Sequence, residues 1–312
     1  MPERLRMSVG ALGLDGQRWL DELPAVLASL EADWGIAVGA GLGRGNAAYL
    51  AEAVTADGHS AVVKVALPPG ISGFAPFAGE LAALLAGDGD PYVEVLNHDE
   101  DRRAVLLERL GRPLAEFGWS TSAQLTAIAE TVSRGWHKVE VGRLETGDTK
   151  ARLLGRSVAE EWEQLGRPCS ERAIERAVAY ATERALRFDI TEAVLVHGDA
   201  HPNNVLEAGR RGDGAIAFKL TDPEGLLSEP AHDLGVVLRG WNDDLLAGDT
   251  VRLAHDLCAQ VAAATGVDGR AIWQWSFIER VSSGLFLLQL GHNQEAREFL
   301  QAADRLAERH DS

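Results

Sequence analysis

The hydrophobic pattern of this chain changes period once, near Leu110, and that change restricts its fold more than any other feature. Before it, residues 36–38, 48–54, 61–66, 92–96 and 104–107 form short apolar or alternating runs, the period of strands packed on a core. Gly41-Leu42-Gly43-Arg44-Gly45-Asn46 and Asp57-Gly58 separate the first three, which suits an antiparallel meander. One helix is expected at 77–85, where Phe77, Leu81, Leu84 and Leu85 make a stripe. Beyond Gly111-Arg112-Pro113, helical spacing takes over around 121–140, 157–166, 171–187, 251–265 and 271–290. Only 193–196, 205–206 and 215–220 read as strands there. The expected class is α+β, with a small antiparallel-sheet lobe over residues 1–109, a larger and mainly helical lobe over 110–312, and a site between them.

Composition excludes several alternatives. With 46% hydrophobic and 25% charged residues the chain is an ordinary globular sequence. Its 30 Lys and Arg against 47 Asp and Glu leave a net charge of −17, which opposes a broad grip on nucleic acid or anionic lipid and favours a cationic partner. No apolar run approaches the roughly 18–20 residues of a membrane span. Gly10, Gly13, Asp15 and Gly16 interrupt any secretory core near the start, so a cytoplasmic protein is expected, as a monomer or weak dimer. Two cysteines, Cys169 and Cys258, are too few for a disulfide framework and read as buried apolar residues.

The chemistry concentrates in Val194-Leu195-Val196-His197-Gly198-Asp199-Ala200-His201-Pro202-Asn203-Asn204-Val205-Leu206 and Phe218-Lys219-Leu220-Thr221-Asp222-Pro223-Glu224-Gly225. If the chain turns back through residues 209–214 as a hairpin, Asp199, Asn204 and Asp222 share one small space. Hard oxygen ligands of this kind suit Mg2+. In phosphoryl transfer one Asp orients a hydroxyl and accepts its proton while an Asn and a second Asp hold the metal. Either segment alone also reads as loop-capping residues or a plain turn, a reading that weakens when the two occur together. His197, Asp199 and His201 as transition-metal ligands form a third reading, disfavoured because Pro202 prevents a helix from aligning the histidines. His197 then reads as a structural hydrogen-bonding residue.

Lys64 lies in the apolar run Ala61-Val62-Val63-Lys64-Val65-Ala66, where a charge calls for a partner. Glu80, on the expected helix, can supply it, although a snorkelling Lys and a solvated Glu remain the plain alternative. The glycine-rich turn carrying Gly43 and Gly45 allows backbone amides to approach phosphate oxygens. Trp273, Phe277, Val281 and Leu285 have the spacing of a packed helix. Trp241-Asn242-Asp243-Asp244 combines an aromatic with paired acids, a signature a helix start shares.

His197-Gly198-Asp199 with Asn204 five residues after the Asp, then Asp222-Pro223-Glu224-Gly225 and Glu229-Pro230-Ala231-His232-Asp233-Leu234-Gly235, resemble the aminoglycoside phosphotransferase group of the protein-kinase-like fold. The style is that of its streptomycin 6-phosphotransferase and hydroxyurea phosphotransferase branch, whose Trp-rich beginning Trp19 through Trp34 also resembles. The resemblance implies a bilobal kinase fold and ATP- or GTP-dependent transfer of the γ-phosphate, with Mg2+, to a hydroxyl of a streptomycin-like antibiotic, giving resistance. Another alcohol, hydroxyurea, or binding without turnover are the alternatives. It implies Asp199 as catalytic base, Asn204 and Asp222 as magnesium ligands, and Asp233 as a buried support of the catalytic loop. Lys64 and Glu80 would hold the nucleotide phosphates, and backbone groups near Leu107 and Arg109 the adenine, with Glu108 structural. Glu224, Asp243 and Asp244 are candidate contacts to substrate cations. Two departures are Asn203, where the group often has Gly, and Pro223-Glu224 in place of the protein-kinase Phe-Gly step.

Overall fold

Residues 3–34 carry no strand pattern, and in the computed structural model they form two helices, α1 (Glu3–Ala11) and α2 (Gly13–Trp34). The structure describes residues 2–43, 45, 47–70, 77–140, 142 and 144–308. The chain divides into two compact units, Met1–Gly111 and Arg112–Ser312. In the first, Gly35 ends α2 with φ +62, a left-handed cap that glycine adopts without steric cost. Five strands follow: β1 (Ile36–Gly41), β2 (Ala48–Thr55), β3 (Ser60–Ala66) and, after helix α3 (Phe77–Gly87), β4 (Val95–Asp99) and β5 (Ala104–Glu108).

Their order is β1-β2-β3-β5-β4, antiparallel throughout. The meander holds for the first three strands, while β5 rather than β4 pairs with β3. Ala61, Val63 and Val65 of β3 are fully covered, packed with Ala51, Ala53, Ala104 and Leu106 beneath Trp19, Leu23 and Leu30 of α2. Each Val or Leu so buried contributes about 1.5–3 kcal/mol. Trp19 adds a bond from its indole N–H to the carbonyl of Ala66 at 3.0 Å, satisfying the ring's one polar atom.

The second unit opens with a 3-10 turn (Leu114–Phe117) and continues through α4 (Thr121–Arg134), β6 (Glu145–Thr146), α5 (Gly147–Gln164), α6 (Glu171–Arg187), β7 (Val194–Val196), β8 (Val205–Arg210), β9 (Ile216–Leu220) and β10 (Leu226–Ser228). Helices α7 (Pro230–Leu238), α8 (Asn242–Ala247), α9 (Thr250–Thr265), α10 (Gly269–Gln289) and α11 (Asn293–Ala307) complete it. Ser120 and Ser170 start α4 and α6 by accepting the N–H groups of Ala123 and Ala173, the preferred N-cap arrangement. The segment expected as helix over 121–140 stops at Arg134, and that expected over 157–166 is the second half of α5.

Helix α10 is the axis of this unit. Ile272, Trp275, Phe277, Ile278, Val281 and Leu285 are buried, and it packs against α5, α6, α7, α9 and α11. A helix apolar around most of its circumference belongs inside. Trp273, expected in its core stripe, is half-buried and stacks on His255 at 4.3 Å. β10 pairs parallel with β6 and antiparallel with β7, and β8 and β9 form a separate hairpin. Between these two small sheets lie the polar segments.

Candidate active site

The hairpin register sets the first distances. Val205 pairs with Leu220, and beyond the last pair the N–H of Thr221 donates to the carbonyl of Asn204 at 2.9 Å. Asn204 and Asp222 therefore leave the same open end of the hairpin, one residue apart in register. Asp222 has φ +58, a left-handed conformation that Asp tolerates better than most residues.

The loop after β7 is held from behind. Asp233 on α7 accepts the N–H of His197 on Oδ2 at 3.1 Å, the N–H of Gly198 on Oδ1 at 2.8 Å and the indole N–H of Trp136 on Oδ2 at 2.9 Å. The Nδ1 of His197 accepts the N–H of Asp199 at 3.0 Å, which places the ring proton on Nε2, 2.8 Å from the carbonyl of Thr221. One fully buried imidazole thus ties Asp199 to the residue before Asp222. Gly198 has φ +81, and a Cβ there would lie 3.0 Å from the Glu224 side chain.

Asn204 directs its amide N–H2 to the carbonyl of Asp199 at 2.9 Å and, more loosely, to Asp199 Oδ2 at 3.4 Å. With the amino group so engaged, the amide oxygen is the atom left to ligate. An amide oxygen and, one register step away, the carboxylate of Asp222 are the hard donor types that suit Mg2+, so these two residues fit that ion. Among the described residues, no group of three His, Cys, Asp or Glu is arranged to hold a metal. His201 lies 3.7 Å from Asp199 through Nε2. Burial pushes its pKa down, outweighing the pull of Asp199.

In the first unit, Lys64 on β3 donates to Glu80 on α3, and both are buried, at 6% and 8% exposure. Gly45 has φ +98, and a Cβ there would sit 2.7 Å from the carbonyl of Ala48. Gly43 has open space around it. Arg44 and Asn46 of the same turn lie outside the described residues. Leu107 is buried in β5 opposite Val62 and Val95. Arg109 pairs with Glu52 at 3.3 Å, while Glu108 accepts the N–H of Glu94 at 2.8 Å.

Of the acids expected to face a substrate, Glu224 is bonded to Lys150 of α5 at 2.6 Å. Burial disfavours the Lys150 charge, but Glu224, Glu279 and Glu145 outweigh it and raise the pKa. Asp243 and Asp244 stand in the first turn of α8, and Asp244 accepts the Thr121 hydroxyl.

The sequence patterns missed Arg239, whose guanidinium donates to Asp199 Oδ1 and, at 3.3 Å, to Glu279 Oε2. Burial opposes its charge, but Asp199, Glu279 and Glu224 raise its pKa. The usable signal was Glu279-Arg280, a charged pair inside the apolar α10 run.

These elements define a class first. Choline kinase LicA from Streptococcus pneumoniae has the same fold, with a TM-score of 0.63 at 16% identity over 93% of this chain and all of that one. The aminoglycoside phosphotransferase APH(3'')-Id from Streptomyces rimosus, solved with ADP and streptomycin, has a TM-score of 0.51 at 19% identity over 84% of this chain and 98% of that one. The fold is protein-kinase-like, with an antiparallel-sheet N-terminal part and a helical C-terminal part.

Within that class, the family model of aminoglycoside/hydroxyurea antibiotic resistance kinases matches residues 34–291, and the chain belongs to this family. The streptomycin 6-kinase of Streptomyces glaucescens is 27% identical over 93% of this chain and 92% of its own. The hydroxyurea phosphotransferase of Kitasatospora aureofaciens is 30% identical over 76% of this chain and 69% of its own. The protein is a small-molecule phosphotransferase.

Proposed function

We propose that the protein transfers the γ-phosphate of ATP to a hydroxyl of a cationic, streptomycin-like aminoglycoside, with Mg2+ held by Asn204 and Asp222. The observation that carries this reading is the buried frame of His197 and Asp233: His197 ties Asp199 to Thr221, the residue before Asp222, and Asn204 bonds to Asp199 while lying one register step from Asp222. Asp199 orients the acceptor hydroxyl and takes its proton as the oxygen bonds to phosphorus and the β–γ bridge breaks toward the nucleoside diphosphate. The cation, when bound, neutralises charge on the phosphate oxygens. Within the first unit, Lys64, steadied by Glu80, and the backbone amides around Gly43 and Gly45 are the groups for nucleotide phosphates, and main-chain groups near Leu107 and Arg109 those for the base.

The net charge of −17 supports a polycationic acceptor by raising its local concentration. Glu224, Asp243 and Asp244 are its proposed contacts, the first shared with Lys150. Hydroxyurea is the second reading, supported by the 30% identical relative.

Phosphorus NMR of purified protein with magnesium-ATP and streptomycin, other aminoglycosides, hydroxyurea or neutral amino alcohols tests both. Transfer to streptomycin is expected, and a preference for a neutral alcohol overturns the acceptor class. Asp199→Ala should lower kcat by about 10²–10⁴-fold while leaving nucleotide affinity in place. Near-normal turnover rejects its role.

A further inference from the structure

Arg239 stands at the end of α7 between two carboxylates of unlike surroundings. One is Asp199; the other, Glu279, is only 5% exposed. The second oxygen of Glu279 meets His232 Nε2 at 3.1 Å. Burial pushes the Glu279 pKa up, but the His232 hydrogen bond and the charges of Lys150 and Arg239 hold it down at about 2. Glu279 therefore anchors the guanidinium whatever happens at Asp199.

The next residue fixes the backbone. Arg280, 2% exposed, donates through Nη2 to the carbonyl of Leu238 at 2.6 Å, through Nη1 to the carbonyl of Gly240 at 3.4 Å, and to Asn242 Oδ1. Leu238 and Gly240 flank Arg239. Trp241, at φ +62, returns its indole N–H to the carbonyl of Val237 at 3.1 Å. Among the described residues no carboxylate pairs with Arg280, and its Nε has no partner. A buried unpaired cation is costly, and this one clamps the carbonyls on both sides of Arg239. Two neighbouring residues of α10 thus hold one arginine, Glu279 by its head and Arg280 by its main chain.

We propose that Arg239 is a positioning residue for phosphoryl transfer, holding Asp199 through Oδ1 so that Oδ2 is presented to the acceptor hydroxyl. The inference rests on the reading of Asp199 given above. In the step, the hydroxyl proton passes to Oδ2, the hydroxyl oxygen bonds to the γ-phosphorus, and the bridging electrons leave with the nucleoside diphosphate. Arg239 exchanges no proton. A carboxylate free to rotate would spend less time aimed at the acceptor, and misplacement near 1 Å costs about 10²-fold in such reactions.

The test measures kcat and KM for magnesium-ATP with streptomycin, with hydroxyurea and with water as acceptor. The full-length variants are Arg239→Ala, Arg239→Lys, and Arg239→Ala combined with Glu279→Gln, which removes the buried charge that could unfold the single variant. Thermal melts confirm folding. Folded Arg239→Ala and the double variant should lose about 10–100-fold in kcat with KM changed by less than roughly threefold. Arg239→Lys should recover part of the loss, and guanidinium at a few millimolar should partly rescue Arg239→Ala but not Asp199→Ala. A folded Arg239→Ala variant with kcat near wild type, or a loss that neither Lys nor guanidinium relieves, overturns the positioning role. An inactive Asp199→Ala beside a fully active Arg239→Ala removes this inference alone. An active Asp199→Ala, or a wild type that transfers to none of the acceptors, removes the proposed function with it.

Discussion

Asp233 shows how much one buried side chain organises. Its two oxygens accept two consecutive backbone N–H groups, of His197 and Gly198, and an indole N–H. Hydrogen bonds to a charged group are worth about 1.5–3 kcal/mol each, and a buried donor left without a partner costs about 1–3 kcal/mol. Asp233→Asn keeps the shape but turns an N–H2 toward at least one donor. Urea unfolding should show a loss of about 2–3 kcal/mol, with a fall in kcat because the loop carrying Asp199 loses its support. Stability within about 0.5 kcal/mol of wild type would mean that the three bonds are not what holds the loop. Single residues were also where patterns were most readable. His197, Asp199, Asn204, Asp222 and Asp233 fall in three short stretches, and local backbone geometry brings most of them together.

At the scale of elements, α7 and α10 meet where Gly235 leaves room. A Cβ there would lie 2.3 Å from the Cβ of Trp275 and 2.8 Å from the N of Ser276, both parts of a helix that cannot shift without disturbing the core. Gly235→Ala should cost about 1–3 kcal/mol, the range for overpacking, and should also lower kcat, because α7 carries Asp233 in its first turn and ends at its C-cap, Arg239. Gly10→Ala is the contrast. That glycine is exposed in α1 with nothing within 4 Å of an added Cβ, so the change should be neutral or stabilising by up to about 1 kcal/mol. Equal melting shifts for the two variants would contradict the close approach. The stripe of α10 predicted a packed helix correctly, because repetition at helical spacing is local information. That Glu279 and Arg280 interrupt it to grip another helix was not predicted, since their partners lie about 40 residues away along the chain.

Over the whole molecule the net charge is −17, and a buried set of charges gathers around Glu279. Glu279 gives this a measurable consequence. Its folded pKa of about 2 lies below the ordinary value of 4.5, so its stabilisation is present above pH 4.5 and is lost as pH falls toward 2. A shift of that size corresponds to about 3 kcal/mol. The melting difference between wild type and Glu279→Gln should therefore be widest from pH 5 to 7 and narrow by pH 3, and a gap constant over that range would refute the buried charge. No described helix is long and apolar enough to cross a membrane, and both cysteines are buried and free, with burial pushing the Cys169 thiol up to about 12 and the Cys258 thiol up to about 11. The strands of the first unit, the helical remainder, the Lys64–Glu80 pair and the polar stretches around Asp199 and Asp222 were determined by the sequence alone, because period, turn chemistry and the cost of burying an unpaired charge act over short spans. The pairing of β5 with β3, the α1–α2 packing over the sheet, and the chain from Asp199 through Arg239 to Glu279 and His232 were decided only in the tertiary structure. Each depends on which distant surfaces exclude water from one another, and no local pattern carries that information.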